Sequence, residues 1–267
     1  MPRIFNAARR LHSLLHYTPK LCEKVDSVCV EYHQIQENFN YDIVSNGERW
    51  LLQTLAAHNL LGTAFDVGAN HGDWADLVLE ANSSALVHCF EICPPTFEKV
   101  SARLSGEKNV VLNCFGLSDA PGEIEVKYCR DGDGGSTMFD MVLPLKAEII
   151  NARVACGSDY CAAHGVQKID CLKLDVEGAE HLVLNGFGEM LNPAVVPVVQ
   201  FEYGLVNILT KFLLKDFHSF FKSRGYKLGK LYPDFVGFRE YRFEDEDFRG
   251  PNYVAASPHM TALLGKK

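Results

Sequence analysis

The sequence predicts an α/β fold, a twisted and mostly parallel sheet covered by helices on both faces, and three observations carry that expectation. Short apolar runs alternate with helical patterns along most of the chain. One run, residues 64–67, ends in the glycine-rich turn Gly68-Ala69-Asn70-His71-Gly72 before a helical pattern begins at Asp73. A second run, residues 86–90, delivers Glu91 nineteen residues beyond Gly72. That spacing is the opening of a strand–turn–helix–strand nucleotide-binding unit. A carboxylate at the end of its second strand can accept hydrogen bonds from both ribose hydroxyls of an adenosine.

In chain order, residues up to about 48 read as helical, with Leu14, Leu15, Val25, Val28 and Ile35 at apolar positions. Arg3, Arg9, Arg10 and Lys20 precede the first acid, Glu23, and Ile4, Phe5, Ala8, Leu11 and Leu15 can share one helix face. Such a helix either lies on a membrane surface or packs on the main domain; its apolar stretch is too sparse for a secretory signal, and packing is the expectation. A helix over residues 50–61 leads into the first strand. Pro94-Pro95 starts another, with Phe97, Val100 and Leu104 at helical spacing. The third strand is residues 110–113, and Gly116-Leu117-Ser118-Asp119 leaves its end. Residues 123–128 alternate like an exposed strand, and residues 131–137 have the composition of a mobile loop, either a lid or a plain connection. Strands are expected at 169–175 and 196–202, then a long helix over 205–221 and a closing pair of strands at 226–228 and 252–255.

The 267 residues carry a net charge of −8, which opposes binding to a phosphate backbone, so nucleic acid is not an expected partner. No apolar stretch approaches the ~20 residues of a membrane span. Nine cysteines without a C-x-x-C pair support neither a zinc site nor a disulfide framework. Those within strands, Cys89 and Cys171, read as small core residues, and a reducing cytoplasm fits them.

The turn itself discriminates between cofactors. Against G-x-G-x-x-G, Asn70 replaces the second glycine, where its side chain obstructs a pyrophosphate, and Asp73 replaces the third with a negative charge. S-adenosylmethionine carries no phosphate, and its sulfonium and ammonium groups are attracted to an acid such as Asp66 at the strand end. A second constellation, Lys173-Leu174-Asp175-Val176-Glu177-Gly178-Ala179-Glu180 followed by His181, stands at the carboxyl end of a strand, where ligands of open α/β sheets bind. Lys173 and Asp175 share a strand face, and Glu177 and Glu180 share a helix face. Acids at a helix start also stabilise it by about 0.3–1 kcal/mol without further purpose. For transfer of a methyl group to a hydroxyl, Asp175, Glu177 and His181 are candidate bases, with Lys173 orienting a carboxylate or the acceptor oxygen. A divalent ion such as Mg²⁺, held by Asp175 and Glu202, is the alternative way to acidify the hydroxyl.

These motifs together resemble the FkbM-like methyltransferases, a branch of the class I S-adenosylmethionine-dependent enzymes, over roughly residues 60–255. The resemblance rests on residues 65–72, on Phe90-Glu91-Ile92-Cys93-Pro94, on residues 116–119, and above all on the 173–180 run with Gly186. Glu202 and Asn252-Tyr253-Val254-Ala255 match features near the end of that domain. It implies a Rossmann-like sheet of seven strands with an antiparallel strand at its edge near the C-terminus, and O-methylation of a sugar, glycan-precursor or secondary-metabolite hydroxyl. By the same resemblance, Asp66, Gly68, Asn70 and Gly72 line the methionine part, Glu91 the ribose, and Ser118 or Asp119 the adenine. Lys173, Asp175, Glu177 and Glu180 line the acceptor side. The expected organisation is a helical extension over residues 1–48 and a catalytic domain over 49–267. Two competitors remain: a cofactor-binding protein that works through partners, and an NAD(P)-dependent oxidoreductase, which Asn70 and Asp73 disfavour.

Overall fold

The structure is a computed structural model describing residues 2–129, 137–139 and 147–266. Its strands are β1 (Thr63–Val67), β2 (Leu86–Phe90), β3 (Val110–Asn113), β4 (Gly116–Ser118), β5 (Gly122–Cys129), β6 (Ala147–Cys156), β7 (Cys171–Leu174), β8 (Val198–Glu202), β9 (Lys227–Tyr232), β10 (Phe235–Phe238) and β11 (Asn252–Ala256). Its α-helices are α1 (Pro2–Leu15), α2 (Pro19–Gln36), α3 (Glu48–Ala57), α4 (Asp73–Ala81), α5 (Pro94–Leu104), α6 (Gly157–His164), α7 (Glu180–Gly186), α8 (Asn207–Thr210), α9 (Leu214–Ser223) and α10 (Pro258–Leu264).

The main sheet has the order β10-β9-β11-β8-β7-β1-β2-β3. Its run from β8 to β3 is parallel, and β11 enters antiparallel between β8 and β9. The α/β class and the mostly parallel sheet are as expected. The strand count is eight rather than seven, because β10 folds back on β9 as a hairpin. Four residues with Gly237 among them carry too little alternation to announce a strand. The antiparallel strand near the C-terminus, expected at the edge, lies inside the sheet with β9 and β10 outboard of it. Residues 116–118 and 122–129 belong to a separate three-stranded sheet of order β4-β6-β5, whose central strand the sequence reading missed. Most of the expected loop, residues 131–136, lies outside the described residues; Thr137 is inside them.

The expected long helix is broken into α8 and α9. Lys211 takes a left-handed φ of 58°, Asn207 Nδ2 donates to Phe212 O across the break at 3.3 Å, and Asp216 accepts the Leu213 N–H at 2.9 Å to start α9. Period-two alternation on the parallel strands sends residues to opposite faces of the sheet. Phe65, Leu172, Leu174 and Phe201 pack with Val183, Phe187, Phe217 and Phe221 on one side. Ala64, Cys171, Val198 and Val254 pack with Leu51, Leu52, Leu55, Trp74 and Val78 on the other. Each such large side chain contributes about 1.5–3 kcal/mol through burial. One register row breaks the apolar second face: Asp66 is aligned with Lys173, and Lys173 with Gln200. All three are buried, so the row must satisfy itself internally.

The N-terminal helices depart from expectation. Residues Ile4, Phe5, Leu11 and Leu14 of α1 are 78, 59, 52 and 74% exposed, and α2 has no buried residue. The expected packing of this face on the main domain is absent among the described residues. Beyond α2 the chain engages the domain, where Glu37 pairs with Lys230 at 2.7 Å and Asn38 Nδ2 donates to Leu231 O at 2.9 Å. Among the described residues no helix is long and apolar enough to cross a membrane.

Candidate active site

Two cavities meet at the carboxyl ends of the parallel strands, where the sheet leaves backbone ends and loops to form a site. The larger spans about 790 Å³, partly open to solvent, between the ends of β1, β2 and β7 and the face of the small sheet. Gly68, Asn70, Glu91, Ser118, Asp175 and Glu177 line it, with Ile92, Leu117, Ile124 and Val126 as apolar wall. The smaller, about 600 Å³, is bounded by Tyr41, Asn46, Glu48, Lys173, Glu202 and Asn252. Asn70 and Asp175 stand on both walls, so they mark the junction.

Backbone amides build the larger cleft. Glu91 is buried, and its two oxygens accept the N–H groups of Asn70 at 2.9 Å and Cys93 at 2.8 Å. The carboxylate thereby fixes the turn after β1 to the loop after β2, and burial raises its pKa. Asn70 adopts a left-handed φ of 47°, and its buried Oδ1 has no hydrogen-bond partner among the described residues. Gly68 is obligatory: a Cβ there would stand 1.8 Å from the carbonyl oxygen of Asp175. Gly186 acts similarly beneath the far wall, where a Cβ would meet Ser118 O at 2.0 Å. Thr137 closes one side by donating from Oγ1 to Glu177 O at 2.8 Å.

Carboxylates crowd the junction. Lys173 Nζ is buried and contacts Asp66 Oδ1 at 3.0 Å, Gly68 O at 3.0 Å and Asp175 Oδ2 at 3.4 Å. Burial opposes its charge, but Asp66, Asp175 and Glu48 outweigh that and raise its pKa. Glu202 is raised well above the usual carboxylate range by burial, by the charges of Asp175 and Glu177, and by a hydrogen bond to Asp175. Glu177, at a left-handed φ of 51°, is pushed up to about 8 by burial, Asp175 and Glu180. Tyr41 is raised to about 12 by burial and by Glu202, Glu177 and Asp175.

Several expected site residues stand elsewhere. Asp66 lines neither cavity; it is wholly buried against Lys173. Gly72 packs on α5, with Leu104 2.8 Å from where a Cβ would stand. Asp119 is exposed and lies off the cleft wall, its Oδ1 3.2 Å from the Ser118 hydroxyl. Glu180 is buried, with Oε1 accepting the N–H groups of Val176 and Gly178, so it shapes the loop that carries Asp175 and Glu177 rather than facing a ligand. Its pKa is raised to about 7, chiefly by burial. His181 stacks on Phe212 with ring centroids 4.9 Å apart, outside both cavities.

Sequence reasoning missed Tyr41, Asn46, Glu48 and the Gln200 that supports them. Glu48 is buried at the start of α3; Asn46 donates to its Oε2 at 2.9 Å and Gln200 Nε2 donates to its Oε1. A polar Gln200 amid Val198, Val199 and Phe201 was the available signal; nothing in the sequence marks Tyr41.

Among the described residues the cleft wall offers three carboxylates and no lysine or arginine, so it suits a cationic ligand and is poorly suited to phosphate. No three His, Cys, Asp or Glu side chains are grouped among the described residues so as to hold a metal ion. The family comparison decides the class: a match to the methyltransferase FkbM domain spans residues 66–228, more than half of the chain. This chain belongs to the FkbM methyltransferase family. That span contains both junction residues, Asn70 and Asp175, and ends within β9, leaving α1, α2 and Tyr41 outside the family's domain. The 2-O-methyltransferase NoeI of Sinorhizobium fredii (strain NBRC 101917 / NGR234) is 25% identical over 140 residues, 47% of this chain and 57% of that protein. The chain thus matches little more than half the length of this relative. A crystal structure of methyltransferase FkbM from Methylobacillus flagellatus KT aligns at 13% identity over 73% of this chain and 44% of that one, TM-score 0.48. The O-methyltransferase TomG from Streptomyces achromogenes, solved with SAM, aligns at 10% identity over 78% of this chain and 79% of that one, TM-score 0.42.

Proposed function

We propose that this methyltransferase uses S-adenosylmethionine to methylate a hydroxyl of a sugar, glycan precursor or related small molecule. One observation carries the reading: a cleft lined by carboxylates, with no lysine or arginine among its described lining residues, opens through Asn70 and Asp175 into a second pocket. The bound cofactor would supply a methyl group on a cationic sulfur. Glu91, Ser118 and the apolar wall would hold its nucleoside, while the unsatisfied Asn70 Oδ1 and the carboxylates of Asp175 and Glu177 would face its cationic part.

The acceptor would occupy the smaller pocket. Asp175 reaches both cavities and is 40% exposed, so it is the group placed to take the proton of an acceptor hydroxyl. Lys173 fixes its orientation from behind at 3.4 Å, and Glu202 lines the same pocket beside it. Asn46, Glu48, Asn252 and Tyr41 would hydrogen-bond the remaining hydroxyls. The extension over residues 1–48 is accordingly divided in role, its last residues, from Tyr41 on, serving the acceptor pocket.

Incubating purified protein with methyl-labelled S-adenosylmethionine and a panel of sugar and glycolipid acceptors tests this. Label should enter an ether-linked methyl group, and Asp175→Asn should abolish entry while sparing cofactor binding. Stabilisation against heat by NADH or NADPH, with none from S-adenosylhomocysteine, would contradict it.

A further inference from the structure

We propose that α1 is an interfacial helix that docks this enzyme on an anionic lipid surface. At 100° per residue, Ile4, Ala7, Ala8, Leu11 and Leu14 fall on one side of α1, with Arg10 and Phe5 flanking the stripe on its two sides and Arg9 opposite. Every one of these side chains is exposed. The apolar stripe therefore has no partner among the described residues, although it holds the largest aliphatic groups of the helix. The guanidinium of Arg9 stands over the Phe5 ring at 4.7 Å, which places a cation at the edge of the apolar face, at headgroup height for a helix lying in an interface.

Charge selects the occupant. Four basic residues and no acid precede Glu23, in a chain whose net charge is −8. An anionic surface attracts this helix and repels the acidic body, so α1 directs the contact. A second copy of the chain would instead bring arginines against arginines. The apolar face of α2 is similarly uncovered at Val28, Tyr32 and Ile35, but its charges are mixed, so α2 adds area without selectivity. Gln36 at the end of α2 is five residues from Tyr41 on the acceptor pocket, a chain reach of at most about 18 Å. Docking would hold that pocket close to the surface. The docking itself does not depend on the methylation chemistry.

Flotation of the full chain with phosphatidylglycerol–phosphatidylcholine vesicles, and with phosphatidylcholine vesicles alone, tests the proposal. The wild-type chain should float with the anionic vesicles and not with the neutral ones, less so at high salt. Arg9→Glu with Arg10→Glu, and separately Leu11→Ser with Leu14→Ser, should each weaken flotation on the order of tenfold or more. Both variants should keep the wild-type melting temperature and S-adenosylhomocysteine affinity, so the result stands apart from the cofactor reading. Absence of flotation, equal flotation of the arginine variant, or a dimer in sedimentation that Leu11→Ser with Leu14→Ser dissolves would overturn it.

Discussion

In the larger cleft, carboxylates are tied to backbone amides: Glu91 to Asn70 and Cys93, and Glu180 to Val176 and Gly178 beneath it. Around Asp175, where the smaller pocket adjoins the cleft, they crowd one another: burial and the neighbouring carboxylates raise Glu202 and Tyr41 on the pocket side and Glu177 on the cleft side. The first arrangement fixes a shape that a ligand finds ready. The second stores unfavourable charge that an acceptor hydroxyl can relieve, and Lys173 keeps it from flying apart. On the proposed reading, cofactor holding and proton handling are separated in space and meet at Asn70 and Asp175, the residues that line both cavities.

The comparison breaks first at Asp175. Asp175→Asn should lower transfer by about 10²–10⁴-fold, the usual worth of a general base, with S-adenosylhomocysteine affinity changed by less than a few fold. Single-turnover kinetics with labelled cofactor read the first quantity and calorimetry the second. A matching loss of cofactor affinity would erase the division between the two cavities.

Lys173→Met should cost about 3–5 kcal/mol in urea denaturation, because it leaves Asp66 buried without its ion pair. Combining it with Asp66→Asn should recover much of that loss. Glu91→Gln removes a charge-assisted pair of hydrogen bonds while keeping shape. It should weaken cofactor binding on the order of tenfold without altering the pH profile of transfer.

The smallest effect is on stability against pH. Glu177 has a folded pKa near 8 against an ordinary 4.5, so the folded state binds the extra proton between those values. Its contribution is intact below the ordinary value and declines as pH rises towards 8. The melting temperature of the unliganded protein should therefore fall across that window, and Glu177→Gln should flatten the fall. A melting temperature that rises across it would contradict the assignment.

Legibility in the sequence follows the same division. The turn after β1 and the run from Lys173 to Glu180 are contiguous, and backbone turns demand specific residues, so Gly68, Asn70, Glu91 and Asp175 could be read directly. The acceptor pocket is assembled from segments near residues 41–48, 70–74, 173–175, 202 and 252, whose juxtaposition only the sheet order supplies. Asp66 and His181 illustrate the opposite limit. Each has the right residue type near the right place, yet Asp66 is turned onto Lys173 and His181 onto Phe212. The central strand of the small sheet escaped the sequence reading; the strand at 252–255 was expected, but sequence order does not reveal its insertion between β8 and β9.

The most direct test is calorimetric titration of S-adenosylhomocysteine into the wild-type chain and into Asp175→Asn, with and without magnesium. Binding of one equivalent to both proteins, independent of magnesium, is the expected result. No binding to the wild-type chain under either condition would contradict the assignment of the larger cleft, and with it the division of labour between the two cavities.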